Sequence, residues 1–224
     1  MKKQITLLTV VATFACCSVS NASITNAWWH DDGDGAIVCS NWTWSASQSA
    51  LSMSGNQYGL PGQPGPGVPA HMLGWAQTDT TADPTLFLGS SVDNDTGAAW
   101  IGYQVNVIMN QSFTFIGTPG VSTVPGSSWV LAGPPTTPTL QVGGPYNGLY
   151  EGTIDFSDGG TPLGIGDELD FNYAIHFVGS TDYAFTQEMI PMFSEVPEPT
   201  TLALAGMGGL ALALRLRRNN RTDA

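Results

Sequence analysis

Residues 169–177 read LDFNYAIHF, a stretch in which large apolar side chains occupy every second position. Successive side chains of a strand point to opposite faces of its sheet, so this period of two predicts a strand with one buried face. Residues 98–110 (AAWIGYQVNVIMN) repeat the alternation. Two such strands in one chain predict a sheet that covers an apolar core on one side.

Shorter apolar runs and frequent turn residues extend this prediction over the chain. Further strands are predicted at residues 86–88, 112–116, 129–131 and 149–156, and Trp42 and Trp44 share one face of another. Glycine, proline, asparagine and aspartate mark turns between them. No amphipathic helix is predicted before residue 200. The pattern favours an all-β body, an antiparallel β-sandwich with jelly-roll-like connections.

Charge is distributed unevenly along the 224 residues. The chain has 18 Asp and Glu against 6 Lys and Arg, for a formal net charge of −12, and no Lys or Arg lies between Gln4 and Leu214. Nucleic-acid binding is excluded for this body because phosphates need basic partners. Schiff-base chemistry needs a lysine and a clamp on phosphoryl groups needs an arginine, so the absence of both residue types excludes these chemistries for the body.

The N-terminus has the pattern of a secretory signal peptide. Lys2 and Lys3 precede an apolar stretch at residues 5–17, and the small residues Ser20 and Ala22 follow it. This order predicts a signal helix within residues 1–22 and cleavage after Ala22. Export then leaves Cys39 as the only cysteine of the mature chain, so no intramolecular disulfide is expected.

The C-terminus combines a short motif, an apolar stretch and a basic cluster. Residues 196–199 read VPEP, residues 202–214 read LALAGMGGLALAL, and the arginines follow. With its flanking threonines the stretch has about 15 residues, so a helix spans roughly 22 Å of a ~30 Å hydrocarbon core. A short transmembrane helix with a cytoplasmic arginine end is predicted. The predicted units are 1–22, an exported domain 23–195 and a sorting or anchor segment 196–224.

This tail resembles the PEP-CTERM sorting signal of exported bacterial proteins. The resemblance covers about 25 residues and rests on Val196, Pro197, Glu198, Pro199, Arg215, Arg217 and Arg218, with Leu216 interrupting the arginine run. It implies processing by an exosortase, a Gram-negative-type envelope and, often, association with extracellular polysaccharide. A plain single-pass membrane anchor is the alternative interpretation of the same residues.

Two loops contain oxygen ligands suited to a divalent cation. Residues 30–35 (HDDGDG) place three carboxylates beside a histidine, and Asp93 and Asp95 alternate with Asn94 before Thr96 and Gly97. Calcium prefers such oxygen ligands, although neither loop has the terminal glutamate of a full calcium loop. The same residues are typical turn formers. Calcium is therefore an alternative to no cofactor, whereas His30, His71 and His176 are too dispersed in sequence to predict zinc.

Tryptophans and carboxylates supply the remaining candidates. The chain has 7 tryptophans, and Trp28 and Trp29, near the expected mature N-terminus, are the candidates for contact with carbohydrate. The alternative is that tryptophans fill the core of the sandwich, with the indole N–H bonded to a strand carbonyl. No G-x-S-x-G motif occurs, and the carboxylate pairs Glu151/Asp155 and Glu168/Asp170 have spacings common on solvated strands. No catalytic residue is predicted.

The functional prediction is therefore an exported structural or adhesive protein of the cell surface or extracellular matrix. Its predicted partners are an exosortase-type enzyme, the membrane and extracellular polysaccharide, with no nucleic acid. A carbohydrate- or calcium-binding envelope module is the first alternative, and an envelope hydrolase is the second.

Overall fold

A computed structural model describes residues 23–58, 69–80, 83–126, 128–178 and 181–193. They form the strands β1 (Ile24–Asp31), β2 (Ile37–Ser45), β3 (Ala50–Tyr58), β4 (Ala70–Thr78), β5 (Thr85–Asp95), β6 (Trp100–Met109), β7 (Phe113–Val124), β8 (Val130–Leu131), β9 (Thr139–Leu140), β10 (Tyr150–Ser157), β11 (Glu168–Phe177) and β12 (Asp182–Phe193). In the described ranges no helix has the length and apolarity to cross a membrane. The predicted signal helix, Ala22, the 196–199 motif, the helix at 202–214 and the arginine cluster lie outside these ranges.

The strands form two sheets. Sheet A has the order β1-β4-β12-β6-β10-β8, with β9 also paired to β10, and sheet B has the order β2-β3-β5-β11-β7. Neighbours are antiparallel except β3 and β5, which are parallel. The chain leaves sheet B after β3, adds β4 to sheet A and returns as β5, and such a crossover permits parallel neighbours. The prediction of an all-β body with antiparallel sheets is confirmed, with this one parallel pair added.

The strand at residues 169–177 lies where its alternation predicts. It forms β11 between β5 and β7, and its five large apolar side chains are buried. They meet residues of sheet A: the rings of Phe171 and Tyr103 are 5.7 Å apart, and those of Phe177 and Tyr183 are 4.3 Å apart. The two sheets therefore share one apolar core, the arrangement expected of a β-sandwich.

Two tyrosine–glutamine pairs connect the sheets across this core. The Tyr103 hydroxyl on β6 donates to Gln57 Oε1 on β3 at 2.6 Å, and the Tyr173 hydroxyl on β11 donates to Gln187 Oε1 on β12 at 2.7 Å. Each sheet thus supplies one tyrosine and one glutamine. Gln57 and Gln187 are 1% and 0% exposed, so both hydrogen bonds are shielded from water. Each pair therefore helps to hold the two sheets in one position relative to each other.

A double-mutant cycle on the first pair should reveal this connection. Gln57→Leu leaves the Tyr103 hydroxyl buried without its acceptor, so we expect the free energy of unfolding to fall by about 1–3 kcal/mol. Adding Tyr103→Phe to Gln57→Leu removes that unpaired hydroxyl, and the double variant should regain part of the loss. Urea unfolding of the three variants measures the coupling. Additive losses would mean that the two groups do not interact.

Candidate functional site

The outer face of sheet A, turned away from sheet B, brings together most of the notable side chains. The strand register arranges them in rows that run across the sheet. One row is polar and consists of His71, Glu188, Asn106 and Thr153 on β4, β12, β6 and β10. The next contains Leu73, Thr186, Ile108 and Glu151 on the same strands. In the third, Trp28 on β1 lies opposite Trp75, which is followed by Ala184.

The third row forms an aromatic platform. The Trp28 and Trp75 rings are nearly parallel, at an interplanar angle of 8° with centroids 6.3 Å apart. Trp75 is 40% exposed, whereas Trp28 is half-buried. Trp75 also lines a groove of about 180 Å³, which we call the Trp75 groove. Its other outward-facing lining residues are Leu73, Ile108, Asn110, Leu149, Ala184 and Thr186.

The strand register explains why the groove exists. Ala184 lies directly opposite Trp75 and has the smallest side chain on this part of β12, so nothing fills the space beside the indole. Leu149 bounds the groove from the turn before β10, which is closed by backbone bonds between Gln141 and Leu149.

Trp29, which was predicted with Trp28 to contact carbohydrate, lies in the core instead. It is 1% exposed, and its ring meets that of Phe185 edge to face at 5.8 Å in the core. Both residues pair with Gly74 in the register, and a Cβ atom at position 74 would collide with the Phe185 ring. The absent side chain of Gly74 leaves room for the two rings to meet. Trp75 therefore takes the place next to Trp28 that the sequence prediction gave to Trp29.

Beside the platform, His71 connects two carboxylates from distant parts of the chain. His71 Nδ1 is 3.1 Å from Asp32 Oδ2 in the β1–β2 turn, and Nε2 is 3.3 Å from Glu188 Oε1 on β12. Contacts with a carboxylate on each nitrogen favour the imidazolium form, in which both nitrogens carry a proton. The pKa of His71 is raised, chiefly by the hydrogen bond to Glu188, which outweighs the opposing effect of burial.

Glu188 is the most enclosed carboxylate of this face. Its Oε2 accepts a 2.6 Å hydrogen bond from Asn106 Nδ2, and its Oε1 accepts a 2.9 Å hydrogen bond from the Tyr146 hydroxyl. Burial by itself would raise the pKa of Glu188, but the hydrogen bonds from His71, Asn106 and Tyr146 lower it overall. Burial and the charge of Glu188 raise the pKa of nearby Glu151. The polar row is thus a charged, hydrogen-bonded cluster in a body whose only cationic side chains are histidines.

We expect stability to fall as pH rises above the ordinary histidine pKa of 6.5. His71 has a raised pKa in the folded chain, so its contribution is complete below 6.5 and is lost as pH rises through the folded value. Urea unfolding between about pH 6 and 8 measures this loss, and His71→Gln should flatten the profile because glutamine does not titrate. An unchanged slope in His71→Gln would assign the pH dependence to another group.

The predicted calcium residues lie on sheet B, at the end of β5. The Asn56 Nδ2 atom on β3 donates to Asp95 Oδ2 at 2.9 Å and lies 3.3 Å from Asp93 Oδ2, so the two carboxylates converge on one amide. Asn94 between them is buried, and its Nδ2 atom donates to the carbonyls of Ala98, Leu163 and Gly164. Asn94, near the end of β5, therefore holds the turn that follows the strand, while calcium binding by Asp93 and Asp95 stays a prediction.

The 30–35 loop contributes to a different cluster. Asp32, Asp34 and His71 each offer a ligand atom, and these atoms all lie within 4.8 Å of one another. Asp34 also accepts a hydrogen bond from the Ala36 backbone nitrogen, and Asp31 accepts one from that of Cys39. The carboxylates of this loop therefore shape the β1–β2 turn. His71, Glu188 and Trp75 were missed by the sequence predictions, because their partners are brought close only by the sheet register.

Comparison with known proteins identifies the C-terminal segment. Residues 195–218 match the PEP-CTERM protein-sorting motif. The resemblance drawn from VPEP and the arginine cluster is thereby confirmed. No curated protein and no solved structure matches the chain. The motif marks an exported, envelope-associated protein that is sorted by an exosortase.

Proposed function

We propose that this protein is a structural or adhesive component of the cell surface or extracellular matrix, delivered there by its C-terminal sorting motif. The observation that carries the proposal is the PEP-CTERM match at residues 195–218. The match lies directly after the all-β body, whose last described strand ends at Phe193. In this proposal the body is the exported cargo, and the segments at either end direct it across the membrane.

The body has properties that suit an extracellular role. Its core is formed by two sheets joined through buried tyrosine–glutamine pairs, which favour a single rigid packing of the sheets. Residues 4–214 contain no Lys or Arg, so acidic groups dominate the exposed charge. A strongly anionic surface opposes self-association and keeps an exported domain soluble until it reaches its partner.

The sorting step is tested by the C-terminus of the mature protein. We expect mass spectrometry of the cell-associated chain to find an end near residues 197–199, with Arg221 removed. Replacing Pro197 and Glu198 by alanine should leave the tail intact and reduce the surface-exposed fraction. Asp223→Ala, also in the tail but outside the matched residues, is the control and should be processed normally. An intact Arg221 in the wild-type surface protein would support a plain anchor and overturn the proposal.

We propose further that the body acts by binding and not by catalysis. Both oxygens of Glu188 accept hydrogen bonds, from Tyr146 and Asn106, and Oε1 also contacts His71. These bonds lower the pKa of Glu188 overall, away from the neutral range in which a general acid or base works best. Hydrolysis of polysaccharide by the purified protein, lost in Glu188→Gln while the fold is retained, would favour the hydrolase alternative.

The calcium alternative concerns Asp93 and Asp95. Both carboxylates accept from Asn56 Nδ2, so calcium, which takes oxygen ligands, would have to displace this amide nitrogen. A cation bound there would stabilise the folded chain and raise its melting temperature. We expect millimolar calcium to raise it in the wild type and not in Asp95→Asn, with Asp170→Asn as the control on β11. An equal shift in all three proteins would rule out this site.

A further inference from the structure

We propose that the Trp75 groove binds an uncharged polysaccharide, with a sugar ring laid against Trp75 above Ala184. The inference deepens the adhesive role proposed above and rests on it, since a surface protein meets polysaccharide outside the cell. It differs from the sequence prediction because the contact residue is Trp75, on a strand remote in sequence from Trp28.

The shape of the groove suits a sugar ring. The apolar C–H face of a pyranose packs against an aromatic ring, which needs an exposed indole with free space beside it. Trp75 is 40% exposed, and the small Ala184 side chain next to it provides that space. Trp28, parallel to Trp75 and on its other neighbouring strand, holds the indole in place. A ring already fixed by stacking loses little conformational freedom on binding.

The floor and borders of the groove supply both kinds of contact that a sugar makes. Part-exposed Leu73 is aliphatic and Ile108 is the buried floor, while Thr186 and Asn110 bring a hydroxyl and an amide to the same hollow. Asn110 Oδ1 already accepts a hydrogen bond from the Ala184 backbone nitrogen. Glu151 follows Ile108 in its row, and Gln77, bonded to Asp182, lies two residues beyond Trp75 on β4. Hydroxyl groups donate to such carboxylate and amide oxygens, whereas a purely apolar partner would leave them unpaired.

The charge of the face determines which polysaccharides can bind. The titratable groups around the groove are Glu151, Glu188, Asp182, His30 and His71, and the body has no Lys or Arg. The His71 charge is already matched by Asp32 and Glu188. An anionic polysaccharide would therefore meet net repulsion with no basic partner, whereas an uncharged one pays no such penalty.

Affinity electrophoresis in native gels tests the proposal on the mature protein extracted from the cells in mild detergent. The gels contain hydroxyethylcellulose, the uncharged fraction of the extracellular polysaccharide of the producing cells, or alginate as an anionic comparison. We expect both uncharged probes to retard the wild type and alginate to leave it unretarded. Trp75→Ala should weaken the retardation at least about tenfold in apparent affinity, the order expected for a lost aromatic contact.

Matched variants separate binding from folding. Trp42→Ala removes a tryptophan of similar exposure, 43%, on sheet B and should bind as the wild type does. Ala184→Phe fills the groove while keeping Trp75, so it should also abolish retardation, with a melting temperature that shows it is folded. Equal retardation of Trp42→Ala and Trp75→Ala, or of wild type and Ala184→Phe, would overturn the assignment.

The charge preference and the identity of the occupant of the Trp75 groove are tested by the same gels. Retardation by alginate that equals or exceeds that by the uncharged probes would overturn the charge argument. No retardation by either uncharged probe, or a dimer that Trp75→Ala converts to a monomer, would overturn polysaccharide binding. Surface delivery is measured separately on the same cells. A Trp75→Ala protein that reaches the surface but does not bind polysaccharide would show that the groove is not needed for sorting. A wild-type protein that binds polysaccharide but does not reach the surface would contradict only the proposed function.

Discussion

Glu188→Leu should lower the free energy of unfolding by roughly 3 kcal/mol, the lower end of the range found when one partner of a buried charged pair is removed, because the His71 side chain is 25% exposed. Glu188 is 8% exposed and contacts His71, Asn106 and Tyr146. Leucine is similar in size but accepts no hydrogen bond, so three donors on three different elements lose their acceptor. Urea unfolding near pH 6, where the His71 contribution is complete, measures the loss.

Two further variants identify the cause of this loss. Glu188→Gln keeps one acceptor for His71 or Tyr146 but turns an amide donor toward another donor, so its cost should lie between those of leucine and wild type. Glu168→Leu on sheet B, where the carboxylate is part-exposed, should cost less than about 1 kcal/mol. Comparable losses for Glu188→Leu and Glu168→Leu would show that the cluster does not stabilise the fold.

The alternation of apolar residues made β6, β10 and β11 predictable, because a period of two is a local property of the sequence, whereas β3, β4 and β12 were not predicted. Residues 169–177 needed no partner to indicate which side chains face inward, and all five are buried. The parallel pairing of β3 with β5 has no such local signal. It depends on β4 being added to the other sheet, which is decided by packing between distant segments.

The candidate site was harder to predict for the same reason. His71 and Glu188 are separated by 117 residues and meet only because β4 and β12 are neighbours. Alternation correctly implies that Trp28 and Trp29 face opposite sides, but it cannot say which side is the core. On the inner face the missing side chain of Gly74 makes room for the Phe185 ring, which the Trp29 ring meets edge to face.

Trp29→Ala should lower the free energy of unfolding at least as much as Glu188→Leu, by about 3–5 kcal/mol, because it removes a large core side chain. The ring is 1% exposed and lies edge to face with Phe185, so its removal leaves a cavity between β1 and β12. Trp28→Ala is the matched control on the same strand. Its half-buried ring stacks on Trp75 outside the core, so the loss should be below about 1 kcal/mol. The reverse order of the two losses would place Trp28 in the core.

Trp29→Phe tests what the indole itself contributes. The Trp29 Nε1 atom is buried and has no hydrogen-bond partner among the described residues, so the folded chain carries the cost of that unpaired donor. Phenylalanine removes the donor and keeps an aromatic ring over Gly74 for the contact with Phe185. We therefore expect Trp29→Phe to lose less than half of the stability lost by Trp29→Ala in urea unfolding. A loss equal to that of alanine would mean that indole volume, and not its contact with Phe185, holds this part of the core.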